Sequence, residues 1–227
     1  MKYEFDFASV LAQWPLFLEG AWTTVQLSFL ATVLGFVLGA LCAVGRGSRY
    51  GWLRRLVGAY VEAIRNTPLL VQSYFLVFGL SSVGATMPIM VGAVLALVIN
   101  IGAYTCEILR AGIESIHGGQ IEAAECLGLS HVQILWHVVL RPAVERVWPA
   151  LTSQFVLMML ATSTMSSVGA EELLGVATRI QSDTFRNFEV FLVLWGLYLA
   201  LSYLMRTGFW LLGLMVFTRR RKLGTPL

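Results

Sequence analysis

Long apolar blocks alternate with short polar ones along this chain, and the apolar blocks have the length of membrane spans. No charged residue falls between Glu19 and Arg46, so the stretch 21–44 is long enough to cross a hydrocarbon core, which takes about 20 residues. It carries Thr23, Thr24, Gln26, Ser28 and Thr32, with Gly35 and Gly39 at GxxxG spacing. Small and hydroxyl residues of this kind suit close helix–helix contact in lipid, and GxxxG also suggests a face between two copies. A second charge-free run extends from Asn66 to Cys106 and breaks at 81–88 (SSVGATMP), a turn signal. Its upstream part is too short to span alone, so the second span is expected at 56–80 and includes Glu62 and Arg65. These two lie three apart, share a helix face and can pair. Pro68 is expected to kink the same helix.

The third span is expected at 88–109, with Asn100, Tyr104 and Glu107 inside it. A polar stretch then runs from Arg110 to Arg146. The fourth span, 147–170, is dense in hydroxyls over its second half, ATSTMSS. A mixed-charge segment, 171–189, reads as a polar loop in which Glu171, Glu172 and Arg179 are either solvated or touch a partner protein. The fifth span is 188–214, with Arg206 inside it, and the chain closes on TRRRKLGTPL. The pattern predicts an all-α polytopic membrane protein: one domain, five transmembrane helices.

Composition agrees with lipid as the solvent. Hydrophobic residues make up 57% of the 227 positions and charged ones 13%, about half the roughly 25% of a soluble domain. Intramembrane Glu62, Arg65 and Glu107 are costly in lipid, so they should face protein or a water cavity and serve packing or gating. The net charge of +3 matters less than its placement. With the N-terminus outside, the inner segments hold Arg46, Arg49, Arg54, Arg55, Arg110, Arg141, Arg146, Arg219, Arg220, Arg221 and Lys222. The outer segments hold only Lys2, Arg179 and Arg186. The positive-inside rule therefore puts the N-terminus outside, and the C-terminus and the 117–142 stretch in the cytoplasm. Arginines in short clusters between spans form no broad basic face, which argues against nucleic acid as a partner.

Other chemistry is sparse. Three cysteines without a CxxC make neither a disulfide framework nor a zinc site, and His117, His131 and His137 match no metal-ligand spacing. The expected metal content is none. The first 20 residues are interrupted by Glu4 and Asp6 and do not read as a secretory signal. Phe5, Phe7, Trp14 and Phe17 suit an interfacial helix. A phosphate-binding P-loop needs a lysine after a glycine-rich run, and the only lysines are Lys2 and Lys222. The chain is thus not expected to be an enzyme or to bind ATP.

The polar stretch 117–142 is the most informative. A short helix can begin near Gln120. Glu122 and Glu125 fall in its first turn, where the helix dipole favours negative charge. Ala123 and Ala124 would let a partner surface come close, and Gly128 can terminate the helix. A second amphipathic piece carries Val132, Ile134, Leu135, Val138 and Val139, with Pro142 expected to stop it. Physics alone is equally content with a loop helix resting on the membrane.

Glu122-Ala123-Ala124, followed by Gly128, resembles the EAA loop of binding-protein-dependent ABC import permeases. The resemblance extends in order over nearly all of 18–215. GAWTTVQLS at 20–28, RNTPLLVQ at 65–72 and AYTCEILRAGIESIHGGQ at 103–120 look like the polar-amino-acid branch. SQF at 153–155, TS at 162–163 and EELL at 171–174 do so as well. The resemblance implies a coupling element built from Gly119, Gln120, Glu122, Ala123, Ala124 and Gly128, lying between the third and fourth spans. It implies a separate ATP-binding subunit that holds ATP and magnesium. It further implies a second, identical or homologous permease subunit, an extracytoplasmic solute-binding protein and a place in the bacterial inner membrane. Asn100, Thr162, Ser163 and Thr164 are then candidates for the solute path, beside their plainer use in interhelical hydrogen bonds. Two departures stand out. The Leu-Pro of the loop's end reads Leu140-Arg141-Pro142, and the Lys-Asp of many members before Thr-Ser reads Leu160-Ala161. Loss of that acid either argues against a basic amino acid as the solute of this subunit or moves solute contact to a sister subunit. An ion-coupled secondary transporter would instead call for carboxylates near mid-bilayer and internal repeats, and neither is evident.

Overall fold

The computed structural model describes residues 4–217, so the expectations resting on Lys2 and on the basic tail at 219–222 lie outside the described residues. Every regular element among the described residues is helical. A short α1 (Phe7–Leu11) leads into α2 (Trp14–Arg46), which starts seven residues before the expected span, with Pro15 in its first turn. At 33 residues α2 is about 50 Å long, more than the hydrocarbon needs. Phe17 is fully buried rather than interfacial; it packs with Leu173, Ala177 and Val190.

The second expected span is not one kinked helix. α3 (Gly51–Arg65) ends, the backbone turns extended at Pro68, and α4 (Leu69–Tyr74) begins anew. Proline disfavours helical backbone at the residue before it and lacks the N–H that would continue the ladder. α4 runs through a π-helical turn, Phe75–Gly79, into α5 (Leu80–Ser82).

α6 (Ile89–Glu114) is the centre of the molecule. Of its most apolar window 56% is buried, against 17% for the outermost long helix, α11 (Asn187–Val216). Gly35 and Gly39 of α2 face α6. A Cβ on Gly35 would lie 2.0 Å from Ile101 Cγ2, and one on Gly39 would lie 2.6 Å from Thr105 Cβ. The GxxxG pair thus serves packing inside the chain rather than a face between two copies. Backbones that approach this closely gain dispersion contacts, which drive helix association in lipid where the hydrophobic effect between helices is absent.

Beyond α6 come α7 (Gly118–Cys126), α8 (His131–Gln133) and a π-helical turn, Ile134–Leu140, that flows into α9 (Arg141–Ala161). Pro142 therefore does not stop the amphipathic piece. The wider π turn just before it spares the carbonyl clash that proline makes inside an α-helix. After Ala161 the chain tightens into a 3₁₀ turn, Thr162–Val168, closed by Gly169 at φ 93°. The expected polar loop at 171–189 is mostly a helix, α10 (Leu173–Thr184).

Among the described residues three helices, α2, α6 and α11, are each long and apolar enough to cross a membrane. The other two expected spans take other forms: a broken pair, α3 with α4–α5, and α9, whose first turns carry Arg141, Glu145 and Arg146. Large apolar side chains such as Trp22, Phe29, Leu41, Trp195 and Leu204 stand exposed on α2 and α11.

Candidate functional site

Two places gather the chemistry: the small helix α7 and the break between α3 and α4. In α7 the two alanines have opposite roles. Ala124 is buried against Ile116, Ile134, Val139 and Ala143, whereas Gly119, Gln120, Glu122, Ala123 and Glu125 stand exposed. Ala124 thus fixes how closely α7 seats on its own chain, and only Ala123 leaves room for a partner.

The helix ends in a Schellman turn. The Leu129 N–H donates to the Ala124 carbonyl at 3.2 Å and the Gly128 N–H to that of Glu125 at 2.9 Å, with Gly128 at φ 74°. That left-handed backbone explains the glycine. Ser130 then opens the next helix through a capping box with Gln133. On the other side of α7, Arg146 of α9 reaches back to the α6–α7 turn. Its guanidinium donates to the Ser115 carbonyl at 2.6 Å and the Ser115 hydroxyl at 2.7 Å. These bonds tie the end of α6 to the start of α9, and α7 itself seats between them through Ala124.

The helix break has a different construction. The Gln72 side-chain N–H group donates to the carbonyls of Ile64 (2.9 Å) and Thr67 (3.0 Å) at and just beyond the end of α3, where the helical ladder no longer supplies its regular donors. Its amide oxygen accepts from Asn100 Nδ2 at 3.0 Å. Asn100, only 6% exposed, thus braces the break from α6. Beside it opens a cavity of about 460 Å³ lined by Arg65, Asn66, Asn100, Tyr104, Gln154 and Ala161, among others. Of the expected path residues, Asn100 lines it. The hydroxyls of Thr162, Ser163 and Thr164 instead bond the carbonyls of Met159, Leu160 and Ala161, three residues back, and the cavity wall stops at Ala161.

Below the cavity, Glu107 collects three guanidiniums from three helices. Arg110 bonds it at 2.8–3.2 Å, Arg46 lies at 3.5 Å and Arg65 at 3.7 Å. Arg65 also lies 5.4 Å above the Tyr104 ring. The expected Glu62–Arg65 pair is replaced: Arg65 turns inward to Glu107, and exposed Glu62 accepts from Asn66 Nδ2 at 3.2 Å. Gly58 makes the Arg46 contact possible, since a Cβ there would sit 2.5 Å from Arg46 Nη1.

Glu172 is no exposed loop acid. It caps α10 through the Gly175 N–H (2.9 Å) and accepts from Tyr198 (2.7 Å) and Thr24 (3.4 Å), with 0% exposure. Glu171 and Arg179 are exposed. Sequence reasoning missed Gln72 as the brace of the helix break and Gln154 as a residue of the cavity wall. The signal available for Gln72 was its place four residues after Pro68, where a polar side chain in an apolar run has freed carbonyls to serve.

Comparison with known proteins adds to this geometry. The family profile described as "Binding-protein-dependent transport system inner membrane component" matches residues 35–218. The octopine transport system permease protein OccM of Rhizobium radiobacter is 33% identical over 226 residues, covering 96% of this chain and 92% of its own length. The glutamine transport system permease protein GlnP of Escherichia coli (strain K12) is 33% identical, covering 88% and 92%. A crystal structure of an amino acid ABC transporter with histidines superposes with a TM-score of 0.87 at 34% identity, covering 93% of this chain and 99% of that one. The MetNI methionine ABC transporter, at 22% identity and a TM-score of 0.73 over 91% of this chain and 98% of its own, shares the fold.

Proposed function

The chain belongs to the family of binding-protein-dependent transport system inner membrane components and is a permease subunit of an amino-acid ABC importer, and on that premise we propose that α7 is the element through which a separate ATPase drives it. The observation that carries this reading is mechanical. α7 presents Glu122, Ala123 and Glu125 outward, while Ala124 on its inner face packs among Ile116, just past α6, and Ile134, Val139 and Ala143 leading into α9, and Arg146 of α9 holds the Ser115 end of α6. A push on such a helix moves two long helices together. A helix held only by flexible loops would absorb the push.

In this reading the chain crosses the inner membrane five times, with α3 and α4–α5 forming one interrupted crossing. The N-terminus is outside, and α7 lies in the cytoplasm. ATP and magnesium bind to the partner ATPase. A second permease subunit completes the path, and an extracytoplasmic binding protein delivers the solute. The cavity at the helix break, next to the Glu107 cluster, is part of that path. Arg46, Arg65 and Arg110 draw α2, α3 and α6 together around one carboxylate, as a closure at the inner end of the path would.

Cys126, the last residue of α7, is exposed, whereas Cys106 is buried. A membrane-impermeant maleimide added from the cytoplasmic side should label Cys126 in the chain alone. The assembled transporter should protect it. Equal labelling in the two states would remove the docking role from α7, and labelling only from the outside would reverse the orientation.

A further inference from the structure

Beyond its first turn α11 carries a single charge, Arg206, set between Tyr203 and Trp210. Spacings of three and four put the three side chains on one helix face, and all three are exposed. Among the described residues no side chain bonds or pairs with Arg206.

Its depth follows from contacts at two levels. On the outer side the Tyr198 and Thr24 hydroxyls meet on the Glu172 carboxylate, and Arg206 lies eight residues further along α11, about 12 Å. On the inner side the Phe209 ring lies 5.5 Å from Phe155, and Phe155 6.3 Å from Phe36. Phe36 stands ten residues, about 15 Å, before Arg46 at the end of α2. Arg206 precedes Phe209 by almost one turn and is thus about 20 Å from that inner end. It sits deep in the hydrocarbon, farther from either headgroup layer than its side chain reaches. An arginine at that depth is costly unless protein or water covers it. The cavity at the helix break does not supply the water: its wall comes from α3, α4, their junction, α6 and α9, and not from α11.

Protein is then the cover, and the charge says of what kind. A guanidinium and an indole only donate hydrogen bonds, so the face calls for acceptors, and a carboxylate also neutralises the charge. A second copy of this chain cannot provide one. Of its acids only Glu62 and Glu107 lie deep in the crossings, since Glu172 and Glu189 are buried at the outer end. Glu107 is already held by Arg46, Arg65 and Arg110. Glu62 comes five residues after Val57, which packs on Gly45 at the inner end of α2. It therefore rises only about 8 Å from that end and falls on the order of 10 Å short of Arg206. Two copies meeting through this face would instead oppose two guanidiniums.

We propose that the Tyr203–Arg206–Trp210 face of α11 is a contact surface within the membrane. Its partner is a helix of a second permease subunit that differs from this chain and presents an aspartate or glutamate to Arg206 at mid-bilayer. This rests on the reading that a second permease subunit completes the path, and it narrows that subunit from identical or homologous to homologous.

The test uses the assembled transporter, isolated through a tag on this chain and kept in lipid nanodiscs. Tyr203 and Trp210 are each replaced by a benzophenone side chain, and the cross-linked peptide is identified by mass spectrometry. It should come from a membrane helix of a homologous, non-identical permease, with an aspartate or glutamate within one turn of the cross-link. In detergent, R206Q should loosen that pair on dilution by about thirtyfold or more, the scale of truncating a buried charge pair, and R206K should restore part of it. R206E should pair only with a partner whose acid is replaced by arginine. Cross-links confined to lipid, or to a second copy of this chain, overturn the proposal. So does a cross-linked helix without an acid, or pairing unchanged in R206Q. Each of those results leaves the transport reading standing. A complex that holds one copy of this chain and no other permease removes both the proposal and the two-subunit path on which it rests.

Discussion

α7 and the α3–α4 break are both short interruptions between long helices, but they are held in opposite ways. α7 is fixed by backbone caps and an apolar seat: the Schellman turn at Gly128, the Ser130 capping box, and Ala124 pressed among Ile116, Ile134 and Val139. The break is held by side-chain amides, with Gln72 bridging two freed carbonyls to Asn100, beside a cavity. Caps and apolar packing make a stiff part that transmits displacement. Exchangeable hydrogen bonds beside a cavity make a part that can respond to what enters it. The contrast suits a protein that receives a push at one place and changes its grip on a solute at another.

The largest effect is expected from forcing the apolar seat. Ala124→Leu adds three carbons where Ala124 is 5% exposed and should destabilise the α7 seat by about 2 kcal/mol. Thermal unfolding in detergent would register the loss. ATPase stimulation should drop with it, while solute binding at the cavity stays near wild type. Gln72→Leu attacks the other region. It leaves the Ile64 and Thr67 carbonyls and Asn100 without that partner, at a cost of about 1–2 kcal/mol because water can replace part of the half-buried network. It should change solute affinity and leave ATPase docking intact, as measured by Cys126 protection. A mutation that moved both readouts equally would erase the distinction between stiff and responsive parts. The smallest effect is expected from Gly128→Ala, which imposes a side chain at φ 74° and should cost about 1 kcal/mol, again with loss confined to coupling.

These two regions were unequally visible in the primary structure. Gly128 was readable because a left-handed turn demands glycine, but the helix start was not: α7 begins at Gly118 rather than near Gln120, so no acid stands in its first turn, Glu122 falls in the second and Glu125 in the last. The division of labour between Ala123 and Ala124 was not, since which alanine faces inward depends on Ile134 and Val139 arriving from the next element. Prolines announced irregularity but not its form. Pro68 breaks its span outright, whereas Pro142 is absorbed by a π turn into a continuing helix. Spacing made Glu62 and Arg65 a pair, yet Arg65 went to Glu107, because a helix's last turn can aim a long side chain at whatever the neighbouring helix offers. The long apolar runs gave α2, α6 and α11 well. They could not reveal α10, whose Leu173, Ala177 and Ile180 are buried within a segment that looks polar overall.

The central claim, that α7 carries work from the ATPase to the path, is tested most directly by Glu122→Arg in proteoliposomes holding the complete transporter. Glu122 is exposed, so the substitution should leave insertion and thermal stability unchanged. Solute-stimulated ATP hydrolysis and ATP-driven uptake are measured together with equilibrium solute binding. The account predicts that stimulation and uptake are lost while binding is retained. Uptake at the wild-type rate in Glu122→Arg, or uptake that persists with the ATPase left out, would contradict it.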